Sequence, residues 1–249
     1  PHPIYLGHFL RGVIGQVSTT FSSSKAIHEF LPTQSDFGDD FALPPYTIEV
    51  FKSVGSAYQF VDAQIHTLSI NMTAGAILEC TATVHARTSN KIAKQTASYI
   101  DAKPFTWDTV SLQVGGAANG EFESATVTIE NPLVGVPTLN GALVEGKLKR
   151  DGFRVITVTG DQDFSNQAQE GIFRAQTRQR FLFSITGESI GGGNNNFISI
   201  DLPKTNYTTF SFPIGGAGRI SAAYEGNCEF DTSSSYAARI TLQNTQTAY

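Results

Sequence analysis

The chain has 249 residues, 40% of them hydrophobic and 16% charged, so it can bury a core and lacks the charge density that keeps a chain disordered. Its 17 basic and 22 acidic residues leave a net charge of −5 and a pI near 5.5. That balance excludes a basic footprint for gripping nucleic acid.

Two cysteines, Cys80 and Cys228, are too few and too distant for a zinc site or a disulfide scaffold. They read as small buried side chains. No apolar run approaches the roughly 20 residues that span a bilayer, and no basic segment with a hydrophobic signal core opens the chain. A soluble working form with no membrane partner is expected. The opening Pro1-His2-Pro3 lacks a methionine, as a processed or incomplete start would.

Taken in order, residues 22–31 are expected to form a first short helix. From Leu78 the chain alternates: Leu78, Cys80, Ala82, Val84 and Ala86 lie on one face, and Glu79, Thr81, Thr83, His85 and Arg87 on the other. This is the period of a half-buried strand. Glycines at 115–120 read as a loop, and 125–129 and 153–158 as strands rich in β-branched residues. A second short helix is expected at 165–176, with Ser165 positioned to cap it. Strands follow at 181–185 and 197–202, separated by a Gly/Asn loop at 187–196. Ile220, Ala222, Tyr224, Gly226 and Cys228 then alternate with Ser221, Ala223, Glu225 and Asn227, and Tyr236, Ala238, Ile240 and Leu242 are expected to return beside them.

Three echoes recur in one order. Phe21-Ser22 is answered by Phe164-Ser165 at an offset of 143, and 67–70 (TLSI) by 209–212 (TFSF) at 142. Residues 125–131 (ATVTIEN) are answered by 238–244 (ARITLQN) at 113. Two similar halves are expected, 1–141 and 142–249, the first carrying an insertion at about 88–120.

Chemistry-bearing motifs are lacking. No His-Glu-x-x-His, Gly-x-Ser-x-Gly or Gly-x-x-x-x-Gly-Lys is present. Gly215-Gly216-Ala217-Gly218 is followed by a strand and reads as a hairpin turn. Asp36, Asp39 and Asp40 lack the spacing of a calcium loop and read as a solvated acidic run. No catalytic, cofactor or metal residue is assigned, and an enzyme is not expected.

The segment order resembles the phage tail tube protein family over nearly the whole chain. The residues carrying the resemblance are 46–50, 58–84, 125–131, 156–164, 181–187, the run ISIDLPK at 198–204 and ITLQN at 240–244. It implies an all-β sandwich or barrel with short flanking helices, whose two halves give strands to a ring-shaped inner barrel. It also implies self-assembly into stacked rings of a virion tail made in the host cytoplasm, with tape-measure and tail-end proteins as partners and DNA passing through the lumen without specific binding. A neutral or acidic wall repels phosphate, and −5 agrees in sign. Duplicated halves favour a trimer with pseudo-sixfold symmetry, and a hexamer of whole-chain units is the alternative.

On this reading the hairpins at 67–87 and 209–231 line the channel, with Glu79, Thr81, Thr83, Ser221, Glu225 and Asn227 facing the lumen. The insertion reads as an arm in which Tyr99, Phe105 and Trp107 either dock on a neighbouring subunit or cap the chain's own core. A β-sandwich carbohydrate-binding or tail-fibre recognition module is the competing class, but a single tryptophan supplies no evident aromatic platform.

Overall fold

A computed structural model describes residues 1–22, 24–32, 43–139, 141, 143–214 and 216–249. The acidic run at Asp36, Asp39 and Asp40 lies outside the described residues, as does Gly215. In chain order the elements are helix α1 (Leu6–Ile14), then strands β1 (Ser18–Ser22), β2 (Lys25–Phe30), β3 (Tyr46–Val50), β4 (Ala57–Thr73), β5 (Glu79–Ile92), β6 (Val110–Val114), β7 (Ala117–Ala118), β8 (Ser124–Glu130), β9 (Leu133–Val136), β10 (Lys147–Arg150) and β11 (Val155–Asp163). Helix α2 (Ala168–Arg174) follows, then β12 (Gln179–Gly191), β13 (Asn194–Ser211), β14 (Ser221–Cys228) and β15 (Arg239–Asn244). All pairing is antiparallel. Among the described residues thirteen strands form one sheet, and β9 and β10 form a second.

The large sheet runs β1, β2, β15, β13, β14, β11, β8, β4, β3, with β12 and β5 pairing off that path. It folds over itself. Met72 on β4 and Phe183 on β12 line one cleft although β13, β14, β11 and β8 separate their strands in the sheet. Between the layers, Leu68, Ile70, Val127, Ile129, Ile156 and Val158 meet Phe181, Phe183, Ile198 and Ile200 in one apolar cluster. Phe181 stands edge-on to Phe122 at 5.8 Å and to Tyr207 at 6.0 Å, the arrangement favoured by ring quadrupoles. The all-β class with two short helices is as expected, and the sheet is open.

Two three-stranded units share one pairing scheme. Thr67, Leu68 and Ser69 face Thr83, Ala82 and Thr81, and 142 residues later Thr209, Phe210 and Ser211 face Glu225, Tyr224 and Ala223. Each ladder then skips one residue, His66 in β4 and Thr208 in β13. On the opposite edge, Ile48 and Tyr46 face Phe60 and Ala63, as Phe181 and Gln179 face Leu202 and Thr205, again with an irregularity at the same point. Pro203 falls in that second gap, where the missing N–H costs no ladder bond.

Several expectations are corrected. Residues 22–31 hold a strand, not a helix: Ala26, His28 and Phe30 are buried and Lys25, Ile27 and Glu29 are not, a period of two that β15 satisfies by pairing. The Phe21-Ser22 echo therefore opens no helix. At α2 the expected helix is present, but Ser165 donates to Glu121 and the first turn instead rests on Asn166 Oδ1, which accepts from the Ala168 N–H. The 187–196 loop is a hairpin, since β12 continues to Gly191 and β13 begins at Asn194. Tyr236 closes a turn with Asp231, but β15 does not return beside β14. It runs along 197–201 of β13, opposite β12, where the far half of β5 lies on β4. Hence the third echo joins segments with different places: β8 instead covers 67–73 of β4.

Helix α1, not among the expected elements, buries Leu6, Leu10, Val13 and Ile14 and ends at Gly15, where φ is 88°. A left-handed residue there lets the Gly15 N–H reach the Arg11 carbonyl at 2.7 Å, and glycine adopts that conformation without Cβ strain. Asn131 Nδ2 donates to Val13 O at 2.7 Å and Arg154 Nη2 to Ile14 O at 3.0 Å, so the last carbonyls of α1 are satisfied by residues flanking β8 and β11.

Candidate functional site: a polar wall of six strands

Strands β5, β4, β8, β11, β14 and β13 lie side by side and form a wall. Successive side chains of a strand point to opposite faces, so registers decide which residues share a surface. Glu79 pairs Asn71, Asn71 pairs Thr126, Thr126 pairs Thr159, Thr159 pairs Glu225 and Glu225 pairs Thr209. These six residues form one row. The next row is Thr81, Ser69, Thr128, Thr157, Asn227 and Asn206. A third contains Thr83, Thr67, Glu130 and Val155.

None of these residues is basic, while Glu79, Glu130 and Glu225 are acidic, as is Asp161 on the same face of β11. The face is also knit sideways: Ser69 Oγ and Thr128 Oγ1 are 3.0 Å apart, and Thr126 Oγ1 and Thr73 Oγ1 both donate to Asn71 Oδ1. Thr126, Thr159, Asp161, Glu225 and Thr209, from four strands, border one open depression in it. Behind it, Cys80, Ala82, Val84, Ala222 and Tyr224 pack toward the core. Burial raises the Cys80 thiol to about 11 and the Cys228 thiol to about 12, so both are poor nucleophiles.

The junction of β8 with β11 holds the wall together. Gly160 is needed there, since a Cβ would strike the Ser124 backbone, and Tyr224 donates its hydroxyl to that same Ser124 carbonyl at 3.1 Å. The two ends of the wall are unpaired: among the described residues no strand covers the far edge of β5, nor the edge of β13 beside Thr209 to Ser211 that faces away from β14.

All six residues read from the sequence, Glu79, Thr81, Thr83, Ser221, Glu225 and Asn227, lie on this polar face. Thr126, Thr128, Thr157 and Thr159, which fill its centre, were missed. Their signal is one Thr-x-Thr pair in each strand, 126 and 128 in β8 and 157 and 159 in β11. The arm residues separate. Phe105 is 0% exposed inside the chain's own core, with its backbone N–H donating to Pro1 O, so it cannot anchor a neighbour. Thr106 forms only an isolated bridge and Trp107 begins a short 3-10 turn, so the two rings do not share a strand face. Tyr99 remains 85% and Trp107 48% exposed. Beyond them β6 pairs β12, tying the arm to the second half of the same chain.

The described residues thus form a long antiparallel sheet with an acidic polar face and a packed apolar back, an architecture of structural β proteins. The family model described as phage tail tube protein matches residues 2–230, and the chain belongs to that family. It is thus a structural protein of the phage tail. No curated protein matches the chain.

Proposed function

We propose that this chain is the repeating unit of the tail tube, assembling with itself into stacked rings whose inner barrel is built from the six-stranded wall, polar face to the lumen. The observation that carries this reading is the row Glu79, Asn71, Thr126, Thr159, Glu225 and Thr209, which crosses both halves of the chain without a basic residue. Such a row gives transiting phosphates no cation to bind and a weak repulsion. The open edges of β5 and β13 supply the joints, because closing a ring of sheets is what removes edges.

We further infer that the halves 1–141 and 142–249 are duplicated tube units, so that three chains close a ring with six similar positions. The repeated registers of β3, β4 and β5 in β12, β13 and β14, bulges included, support this. Tape-measure and tail-end proteins would meet the tube at its ends. Electron microscopy of concentrated purified protein tests the reading. Tubes or stacked rings are expected, and a monodisperse monomer under all assembly conditions would reject it.

A further inference from the structure

The wall has two unlike ends. At one, β8 finishes at Glu130 beside Thr67 and β11 begins at Val155. There the separate hairpin of β9 and β10 leaves the sheet, its base closed by the Asp151 N–H on Pro132 O at 2.9 Å. Arg87 Nη1 donates to Gly146 O at 2.8 Å and His85 lies 3.3 Å from the Glu145 carboxylate, so β5 braces the hairpin. Beyond the brace, Leu139 and Leu143 are 109% and 107% exposed, and Lys147 and Lys149 also face solvent. Among the described residues nothing covers these two fully exposed leucines, which lie beyond the braced strands of the hairpin.

At the other end, where β4 reaches Thr73 and β8 starts at Ser124, a cleft of about 350 Å³ opens. Its walls include Met72, Trp107, Val110, Leu112 and Phe122, and Asp108 and Glu123 also border it. Glu123 is paired with Arg219, and Asp108 is exposed. From Thr67 to Thr73 a strand advances roughly 20 Å, so the hairpin cannot fold back into its own cleft without leaving its brace. The two features match in chemistry: branched apolar side chains with lysines behind them, and an apolar cleft with carboxylates beside it. They lie at opposite ends of the wall strands. A head-to-tail contact between unlike patches propagates as an open stack unless its rotation closes a ring, and patches at opposite ends of the wall strands favour the stack.

We propose that Leu139 and Leu143 of one copy seat in the Trp107 cleft of a second copy in the next ring, with Lys147 and Lys149 on the side of Asp108. The proposal rests on the tube reading and adds to it the contact that stacks rings. Ring closure through β5 and β13 is then separate from stacking through the hairpin.

The test uses the full chain and two variants. Leu139→Asp with Leu143→Asp alters only exposed positions and should give rings of wild-type diameter that no longer stack, a complete loss of tubes by electron microscopy. In a second variant, Leu143→Cys with Ala74→Cys should give disulfide-linked ladders of chains on oxidation of assembled tubes, absent when either new cysteine is alone. Wild-type-length tubes from the aspartate variant, or no ladder from the cysteine pair, overturn the contact while leaving the tube reading intact. Wild-type protein that never assembles overturns both.

Discussion

Glu79 and Glu225 stand in one row on one face of the wall, with Asn71, Thr126 and Thr159 between them. Four strand spacings separate the two carboxylates, roughly 19 Å, which exceeds the ~8 Å over which salt screens exposed charges at physiological ionic strength. On the tube reading each would therefore act independently on a phosphate at this face. Changing both to lysine replaces repulsion by attraction without touching the apolar back. Assembly should persist and DNA ejection should slow, measured as release kinetics from particles carrying the variant; unchanged kinetics would argue against a lumenal face.

Asp201 is a second place where charge decides stability. It is 2% exposed, accepts two bonds of 2.8 Å from Arg180, a third from the Tyr236 hydroxyl at 2.8 Å, and lies 3.3 Å from Arg239. Burial alone would raise its pKa, but the Arg180 fork, the Tyr236 bond and the two cations outweigh that and hold it below 3.8. Asp201→Asn should cost about 3 kcal/mol in chemical denaturation, since two guanidinium groups lose their shared anion. A loss within error of zero would mean that solvent already screens the network.

His28 makes folding sensitive to mild acid. Its ring is fully buried, with Nδ1 2.8 Å from Thr19 Oγ1 and Nε2 3.2 Å from Asn244 Oδ1. Burial lowers its pKa below the ordinary 6.5, against smaller raising effects of hydrogen bonds to Asn244 and Gln246. Between the two values the unfolded chain binds a proton that the folded chain refuses. Stability is complete above pH 6.5 and declines as the pH falls below it. His8, also lowered by burial and by Arg11, adds to the same trend. The denaturation midpoint should fall from pH 7 toward pH 5, and His28→Gln should flatten part of that slope.

Arg154 links α1 to the wall. Burial lowers its pKa to about 10, so it stays charged at neutral pH, and it spends that charge on Ile14 O and on Asn131 Oδ1 at 2.8 Å. Arg154→Met keeps most of the side-chain volume and removes both bonds. A loss of about 2 kcal/mol is expected, with faster amide exchange in α1 than in β13. Uniform exchange across the two elements would deny Arg154 this local role.

Strands β5 and β14 of the wall could be read from the chain because a half-buried strand has period two, and 78–87 and 220–228 keep that period without interruption. The wall's centre could not. Thr128 meets Thr157 only because β8 and β11 pair across the boundary between the halves, and nothing local to either strand specifies that neighbour. The same limit explains residues 22–31: their short polar run suits a helix start, but β15 offers an edge and Ala26, His28 and Phe30 fit it. Helix α1 carried a plain signal in Leu6, Leu10, Val13 and Ile14, whose spacing is helical. The 113-residue echo misled because similar alternating strands can fill different places along a sheet.

The most direct test of the central claim is a reconstruction of the assembled tube at side-chain resolution without imposed symmetry. Three chains per ring are expected, each presenting two similar positions, with Glu79 and Glu225 in equivalent places on the lumen wall. A ring of six chains, or a lumen lined by the Arg180 face of β12 instead of the threonine rows, would contradict it.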